Sequence, residues 1–515
     1  MSRFRLLPPA ALIGLGLLAG GWLIARAVNG EQRRSLEGVR LLDTVMQSVR
    51  ERFVDEVPED KLWEAAIQGL IAELGDPHSA YLTPDRLERL RQATSNSYRG
   101  VGLQVDVRDG WITVAQPRPG SPAERAGLQT GDRLVELDGR SMQGWTVEEA
   151  RNELRGPLGT SVKLVIERGA ATRIPVTLER ADIRVSAVAR ATLLPNGIGY
   201  LAVTTFSDST EVELTKSVDS LRASGARALI LDLRGNPGGL LAQGVGVADL
   251  FLSPGQRIVT TKGRTPESNA AYVDETPERW AGMPIAVLVN SGTASAAEIV
   301  AGALQDHDRA LVMGRVSFGK GSAQAVYPLA NGAALVLTHA RWFTPLGRSL
   351  EVPLPDEVPL PDADTARPVF RTAAGRAVYG GGGIVPDVMA GDSAQDPAER
   401  RFFAELGADV PRWREALSAE AGALLAERAV RDSLFLVRPE WRARVRARLQ
   451  KMNVRVSSTS LAAVPALVDR QLGNEIARRG FGIPYAQRRL VRTDSVVTRA
   501  AALLRDAKLP SELFK

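Results

Sequence analysis

The sequence predicts a multidomain α/β protein, with helical regions at both ends and sheet-bearing units between them. Three observations carry that prediction. The chain has 515 residues, too many for one hydrophobic core and enough for about three domains. Its centre alternates short apolar runs, which read as buried strands, with helical stretches and glycine turns. Residues 396–515 carry little Gly or Pro and show helical periodicity, as at Phe402, Phe403 and Leu406 or at Leu461, Val464 and Leu467.

Composition narrows the chemistry. The chain has no cysteine, which excludes disulfides, thiol catalysis and Cys-based metal sites. Of its three histidines, His78, His307 and His339, no two stand at helical metal-ligand spacing, and His-Glu-x-x-His is absent. No metal and no cofactor is expected, while a Ser–His–Asp arrangement stays open on composition. The net charge is +6, but it is unevenly placed. Residues 401–515 hold 22 Lys and Arg against 12 Asp and Glu, peaking in Trp441-Arg-Ala-Arg-Val-Arg-Ala-Arg448. That excess fits an anionic partner, a membrane surface or a solvated helix face. No nucleic-acid motif accompanies it, so no nucleic-acid partner is expected.

Taken in order, residues 1–28 read as a signal anchor or signal peptide. Leu6 to Ala25 carry no charge and follow Arg3 and Arg5, a length that can span a bilayer. Pro8 and Pro9 shorten the helix, and Ala25-Arg-Ala27 offers a small-x-small cleavage site. The anchored form is the expectation: a membrane contact through this segment, and a body outside the cytoplasm. Residues 29–96 read as a helical region, with Leu41, Leu42, Val45, Val49 and Phe53 at helical spacing. Residues 97–182 alternate strand-like runs (Gly102 to Val107, Trp111 to Val114, Arg133 to Leu137, Ser161 to Ile166) with glycine turns. Residues 183–395 hold an α/β core: a strand over Ile198 to Phe206, a helix with a capping start over Ser209 to Ser224, and a buried strand over Arg227 to Leu233. Pro353 to Pro368, crowded with prolines and acids, reads as a loop. Residues 396–515 read as a helical C-terminal extension, compatible with homo-oligomerisation, adaptor docking or gating.

The densest chemistry lies between Asn290 and Gln324. The run Ile285-Ala-Val-Leu-Val289 reads as a buried strand, and Ser295 opens an amphipathic helix after a small-residue turn. A serine at a strand-to-helix turn exposes its hydroxyl beside unpaired helix N–H groups, as an acyl-transfer nucleophile requires. Lys320, between Gly319 and Gly321, can be brought close by a flexible backbone. Two plainer readings compete. Ser295-x-x-Glu298 is also a capping box. Gly314-x-x-x-x-Gly319-Lys320 approaches a phosphate-binding loop but has Gly321 where that loop needs Ser or Thr.

The box Thr293-Ala-Ser295-Ala-Ala-Glu298-Ile299 and the later Phe318-Gly319-Lys320-Gly321-Ser-Ala-Gln324 resemble the signature of the carboxyl-terminal processing proteases, the PDZ-bearing tail-specific peptidases of family S41. Asp232-Leu-Arg-Gly-Asn-Pro-Gly-Gly239, Arg341 to Ser349 and Val378 to Asp387 also resemble family segments, so the likeness spans roughly residues 35–390. Thr293 and Ala297 stand where the family has serines, away from its nucleophile position.

The resemblance implies a crotonase-like serine protease core over 183–395 and a PDZ domain over 97–182. It implies Ser295 as nucleophile, Lys320 as general base and Gln324 as the residue that orients the base. It implies an oxyanion hole from the N–H of Ala296 and that of Gly238 or Gly239. It implies Tyr98 to Leu103 as a carboxylate loop, with Gly100, Val101, Gly102, Leu103 and Val105 as tail-binding candidates for protein substrates with apolar C-termini. The Asp-Pro-His-Ser turn at Asp76 to Ser79 then makes His78 structural. A lysine of ordinary pKa, near 10.4, is protonated at neutral pH, so Lys320 needs burial beside apolar groups such as Phe318 to act as base. The expected function is an exported, membrane-anchored serine endopeptidase of the cell envelope, with a periplasmic or extracytoplasmic body. A catalytically idle PDZ scaffold and a crotonase-like acyl-transfer enzyme are the alternatives.

Overall fold

The computed structural model describes residues 37–108, 110–169, 172–352, 367–391, 397–433 and 435–514. The apolar segment 6–25 and most of the loop 353–368 lie outside them. Contacts divide the chain into two compact units.

Of the described residues, the smaller unit comprises 37–83 with 326–337. A helix covers residues 37–52 and another spans Glu59–Ala72. The strand Ala80–Leu82 pairs antiparallel with Ala334 to Val336. Ile71, Tyr81 and Ala333 form a small core. The predicted apolar stripe is present, but Leu41, Leu42, Val45 and Phe53 are exposed. The Asp76 carboxylate accepts the His78 N–H (3.0 Å) and the Ser79 hydroxyl (2.5 Å), a side-chain-closed turn.

The larger unit begins with an antiparallel sheet in the order Leu103–Arg108 (β1), Trp111–Pro117, Arg133–Leu137, Ser161–Arg168 and Thr172–Glu179. Its alternating residues Ile112, Val114, Leu134, Val162, Leu164 and Ile166 fill one core. Helix α1 (Val147–Leu154) completes it, entered through a capping box between Thr146 and Glu149. The outer edge of β1 has no strand partner among the described residues. Gly102 has φ +78°, and an added Cβ would lie 2.2 Å from Ser121 Cβ, so this turn admits only glycine.

Next comes a six-stranded sheet: Val188–Leu194, Ile198–Val203, Ala228–Asp232 (β2), Ile285–Val289 (β3), Leu311–Gly314 (β4) and Val388–Met389. The first strand is antiparallel to the second, and the remaining pairs are parallel. Every residue of β2, β3 and β4 is buried, as strands covered on both faces require. Leu229, Leu231, Ile285, Val287 and Val289 face the helices Thr210–Ala223, Leu241–Asp249 and Ala296–Asp306 (α2). Ser209 precedes the first of these helices without capping it. Its hydroxyl goes to Glu213, and the Thr210 hydroxyl takes the Ser207 N–H instead.

The opposite face of the sheet is covered from the far end of the chain. Ala228, Ile230, Ala286, Leu288 and Met313 pack on Val491, Val496, Val497, Ala500 and Leu504, most of them from helix α4 (Ser495–Asp506). The helical C-terminal region is therefore two things. Residues 397–481 form a bundle with its own core around Phe402, Trp413, Trp441 and Leu472, including helix α3 (Pro465–Phe481). The last α-helix belongs to the six-stranded sheet. The arginine-rich stretch sits on Pro439–Lys451, where Arg442 pairs with Asp469, Arg444 with Glu420 and Glu427, and Arg448 with Glu420. Much of that charge is thus balanced inside the bundle.

Candidate active site

The site forms where three loops leave the carboxyl ends of the adjacent parallel strands β2, β3 and β4, the edge at which open α/β sheets place their ligand crevice. The loops are laced to one another. Gly235 N–H and Gly292 N–H share Asn290 Oδ1 (2.9 and 3.1 Å). Ala294 N–H donates to the Asn236 carbonyl (2.9 Å), and the Thr293 hydroxyl to the Leu233 carbonyl (2.8 Å). Phe318 N–H closes the third loop onto the Thr293 carbonyl (2.9 Å).

Ser295 sits at the turn between β3 and α2 with φ 54° and ψ −121°. A non-glycine residue there stores roughly 1–3 kcal/mol of strain and persists when its surroundings over-determine it. Glu298 supplies much of that constraint. Its carboxylate accepts the Ser295 N–H at 2.8 Å, and Glu298 N–H donates to the Ser295 carbonyl at 2.8 Å. Ser295 is half-buried.

Glu298 reaches further than its own helix. The oxygen that holds the Ser295 amide, Oε2, also accepts Lys320 N–H (3.0 Å), while Oε1 accepts Gly319 N–H (2.7 Å) and the Ser317 hydroxyl (2.5 Å). One buried carboxylate thereby fixes the backbones of the serine and lysine loops against each other. Burial pushes the Glu298 carboxyl above its ordinary range, and the four hydrogen bonds oppose that push. The sequence offered one signal for this role, an acid inside the apolar run Ala-Ala-Glu-Ile-Val-Ala. It was legible only as a cap.

Lys320 is half-buried. The glycines beside it serve close approach rather than flexibility. A Cβ on Gly319 would meet Val352 Cγ2 at 2.7 Å and the Leu350 carbonyl at 2.8 Å; one on Gly321 would meet Glu351 at 2.8 Å. Phe318 is 55% exposed, with its N–H held by the Thr293 carbonyl. The Gln324 amide donates to the Ser322 hydroxyl (3.1 Å) and to Thr338 (3.0 Å). The histidines are engaged elsewhere: His307 on the Arg257 carbonyl (2.7 Å) and His339 on Ser268 (3.3 Å).

Gly238 lies directly against the Ser295 turn. A Cβ there would fall 2.8 Å from Ser295 Cβ and 2.9 Å from Ala296 N. Its N–H is taken by Asn236 Oδ1 (2.8 Å). Gly239 forms a parallel bridge with Phe206 through its neighbours, and neither its own N–H nor that of Ala296 has an acceptor among the described residues. Upstream, Asp232 accepts the Tyr200 hydroxyl and a two-pronged contact from Arg234, which also pairs with Asp494, the residue capping α4.

The tail-binding candidates gather at a separate cavity of about 420 Å³ between β1 and α1. Val101, Gly102, Leu103 and Val105 line it; Gly100 does not, being held in the strand Ser97–Gly100 and bridged to Arg155. Among the described residues no cluster of acids and histidines is arranged to hold a metal ion, and no helix is long and apolar enough to cross a membrane.

The chain is similar to known proteins. Residues 197–358 match the model of peptidase family S41, residues 113–168 a PDZ domain, and residues 25–85 the activating protease CtpB N-terminal domain. The carboxy-terminal processing protease CtpA of Bacillus subtilis is 36% identical over 334 residues, 63% of this chain and 71% of that protein. The carboxy-terminal-processing protease of Bartonella bacilliformis is 37% identical over 349 residues, 66% and 78% respectively. Among solved structures, the photosystem II D1 C-terminal processing protease is 29% identical, covers 68% of this chain and 92% of its own, and has a TM-score of 0.36. The family matches and the relatives make it a serine-type peptidase with a PDZ domain. The chain belongs to the carboxy-terminal processing proteases of peptidase family S41.

Proposed function

We propose that this peptidase works through a Ser295–Lys320 dyad on protein substrates selected by their C-terminal tails. The observation that carries the dyad is the shared Glu298 oxygen, which couples the Ser295 and Lys320 backbones. In the proposed cycle neutral Lys320 takes the Ser295 hydroxyl proton as Oγ attacks the peptide carbonyl carbon. The oxyanion is stabilised by Ala296 N–H and by the Gly238–Gly239 turn, where the uncommitted Gly239 N–H is the favoured donor. Collapse breaks the C–N bond, and the leaving amine takes the proton from Lys320. Water then attacks the acyl-enzyme, giving its proton to Lys320, which returns one to Ser295. Gln324, with its amide nitrogen occupied by Ser322 and Thr338, retains its oxygen to orient the lysine amine. No metal or nucleotide enters this cycle.

The tail reading is supported by the open edge of β1 and the apolar residues Val101, Leu103 and Val105 at the cavity. A substrate tail would add there as a strand. Residues 6–25, preceded by Arg3 and Arg5, support a membrane anchor with the body in the extracytoplasmic envelope. A phosphonylating serine reagent followed by intact-mass analysis tests the nucleophile. One adduct is expected on the parent, none on Ser295→Ala, and a strongly slowed one on Lys320→Ala. Equal labelling of Ser295→Ala contradicts the assignment.

A further inference from the structure

The tail cavity is more cationic than a single terminal carboxylate requires. Arg118, Arg151, Arg155 and Arg478 line it, against one acid, Asp106. Arg118, Arg151 and Arg155 have no carboxylate partner among the described residues, and Arg118 Nε is buried without a hydrogen bond. Arg155 stacks on Tyr98 at 4.9 Å, whereas Arg118 stands beside the Gly102 turn, its N–H on the Gly102 carbonyl (2.8 Å). Arg151 projects from α1 on the opposite wall.

The fourth arginine comes from far away in the chain. Arg478, on α3 of the C-terminal bundle, pairs with Asp106 of β1. It is held in place by Glu475, which accepts from its Nη2 (2.7 Å) and Nε (3.1 Å). Glu475 is also supported by Arg479 and Ser418, so it keeps partners without Arg478. The bundle thus neutralises the cavity's one acid and leaves three uncompensated arginines.

We propose that the groove reads acidic side chains within the last few residues of the substrate, through Arg118 and Arg151, and that Arg478 is a positioning residue that silences Asp106. This inference rests on the tail reading above. A tail added antiparallel to β1, with its carboxylate at the Gly102 turn, runs past Asp106 a few residues before its end. An acidic residue there would be repelled by an unpaired Asp106 and is accepted once Arg478 covers it.

The test uses the full chain as Ser295→Ala, with fluorescent peptides of one length and one apolar terminal residue. One peptide is neutral, one has two glutamates among the four preceding residues, and one is that acidic peptide with an amidated end. The acidic peptide should bind roughly tenfold tighter than the neutral one at low salt, a difference that shrinks as salt rises. Adding Arg118→Gln with Arg151→Gln should abolish the preference. Arg478→Gln should reduce it, and Asp106→Asn with Arg478→Gln should restore it, a rescue that a merely structural role for Arg478 does not give. Equal binding of acidic and neutral free-ended peptides overturns the acidic preference and leaves the tail reading standing. Equal binding of amidated and free peptides overturns both. Loss by Arg478→Gln without rescue overturns the role given to Arg478.

Discussion

Glu298 is the residue on which the two halves of the site meet. Glutamine in its place keeps one acceptor and presents N–H groups where the other oxygen received two amides. Misplacement of a reacting group by about 1 Å costs on the order of 100-fold in rate, so Glu298→Gln should lower kcat by about that factor with KM nearly unchanged; a loss under about threefold would show that the carboxylate is dispensable. Its titration gives a second expectation. Burial raises the folded-state carboxyl above 4.5, so the folded chain holds this proton to higher pH than the unfolded chain does. The stability it contributes is complete below about 4.5 and falls as pH rises through the raised value. Denaturation profiles across that window should be flatter for Glu298→Gln. The local motifs around Ser295 and Lys320 were legible because each lies within a few consecutive residues. Glu298's grip on Gly319 and Lys320 was not, because it depends on a loop that returns in space. Gly319 and Gly321 were legible as glycines but not for their reason, since the Leu350–Val352 segment that crowds them is remote in sequence.

At the level of elements, α4 ties the end of the chain to the catalytic sheet. Asp494 caps it, accepting from Val496 N–H and Val497 N–H (2.9 and 3.0 Å), and pairs with Arg234 of the turn below the site. Losing such a cap costs about 1 kcal/mol. Asp494→Ala should therefore lower stability in urea by about 1–2 kcal/mol; no change would separate α4 from the fold's stability. The helical character of this region was legible from its periodicity. Its assignment to an appendage was not complete, because an apolar stripe names no partner, and the sheet face it covers is built from strands that begin almost three hundred residues earlier. The strands β2 and β3 were legible for the opposite reason: continuous apolar runs bounded by turns admit few other readings.

For the whole molecule, the consequence is that the chain is not a protease core with a dispensable tail. Val491, Val496, Val497 and Leu504 are buried against the sheet, each worth about 1.5–3 kcal/mol, a sum comparable to a domain's entire stability of about 5–15 kcal/mol. Deletion of residues 483–515 should yield insoluble or protease-sensitive protein; a soluble, fully active truncation would contradict this packing. The arginine-rich stretch Trp441 to Arg448 carries a related lesson. Counted along the sequence it suggests an anionic partner, yet in the fold Arg442, Arg444 and Arg448 meet Glu420, Glu427 and Asp469. Only pairing in space distinguishes the two.

The measurement closest to the central claim is cleavage of an unfolded protein with an apolar C-terminus, followed by intact mass. It compares the chain from residue 29 onward with its Ser295→Ala and Lys320→Ala variants, and each substrate with a version bearing an amidated end. Cleavage by the parent alone is expected, slowed when the terminal carboxylate is blocked. Cleavage by Lys320→Ala at the parent's rate would contradict the dyad, and cleavage by Ser295→Ala would remove its nucleophile.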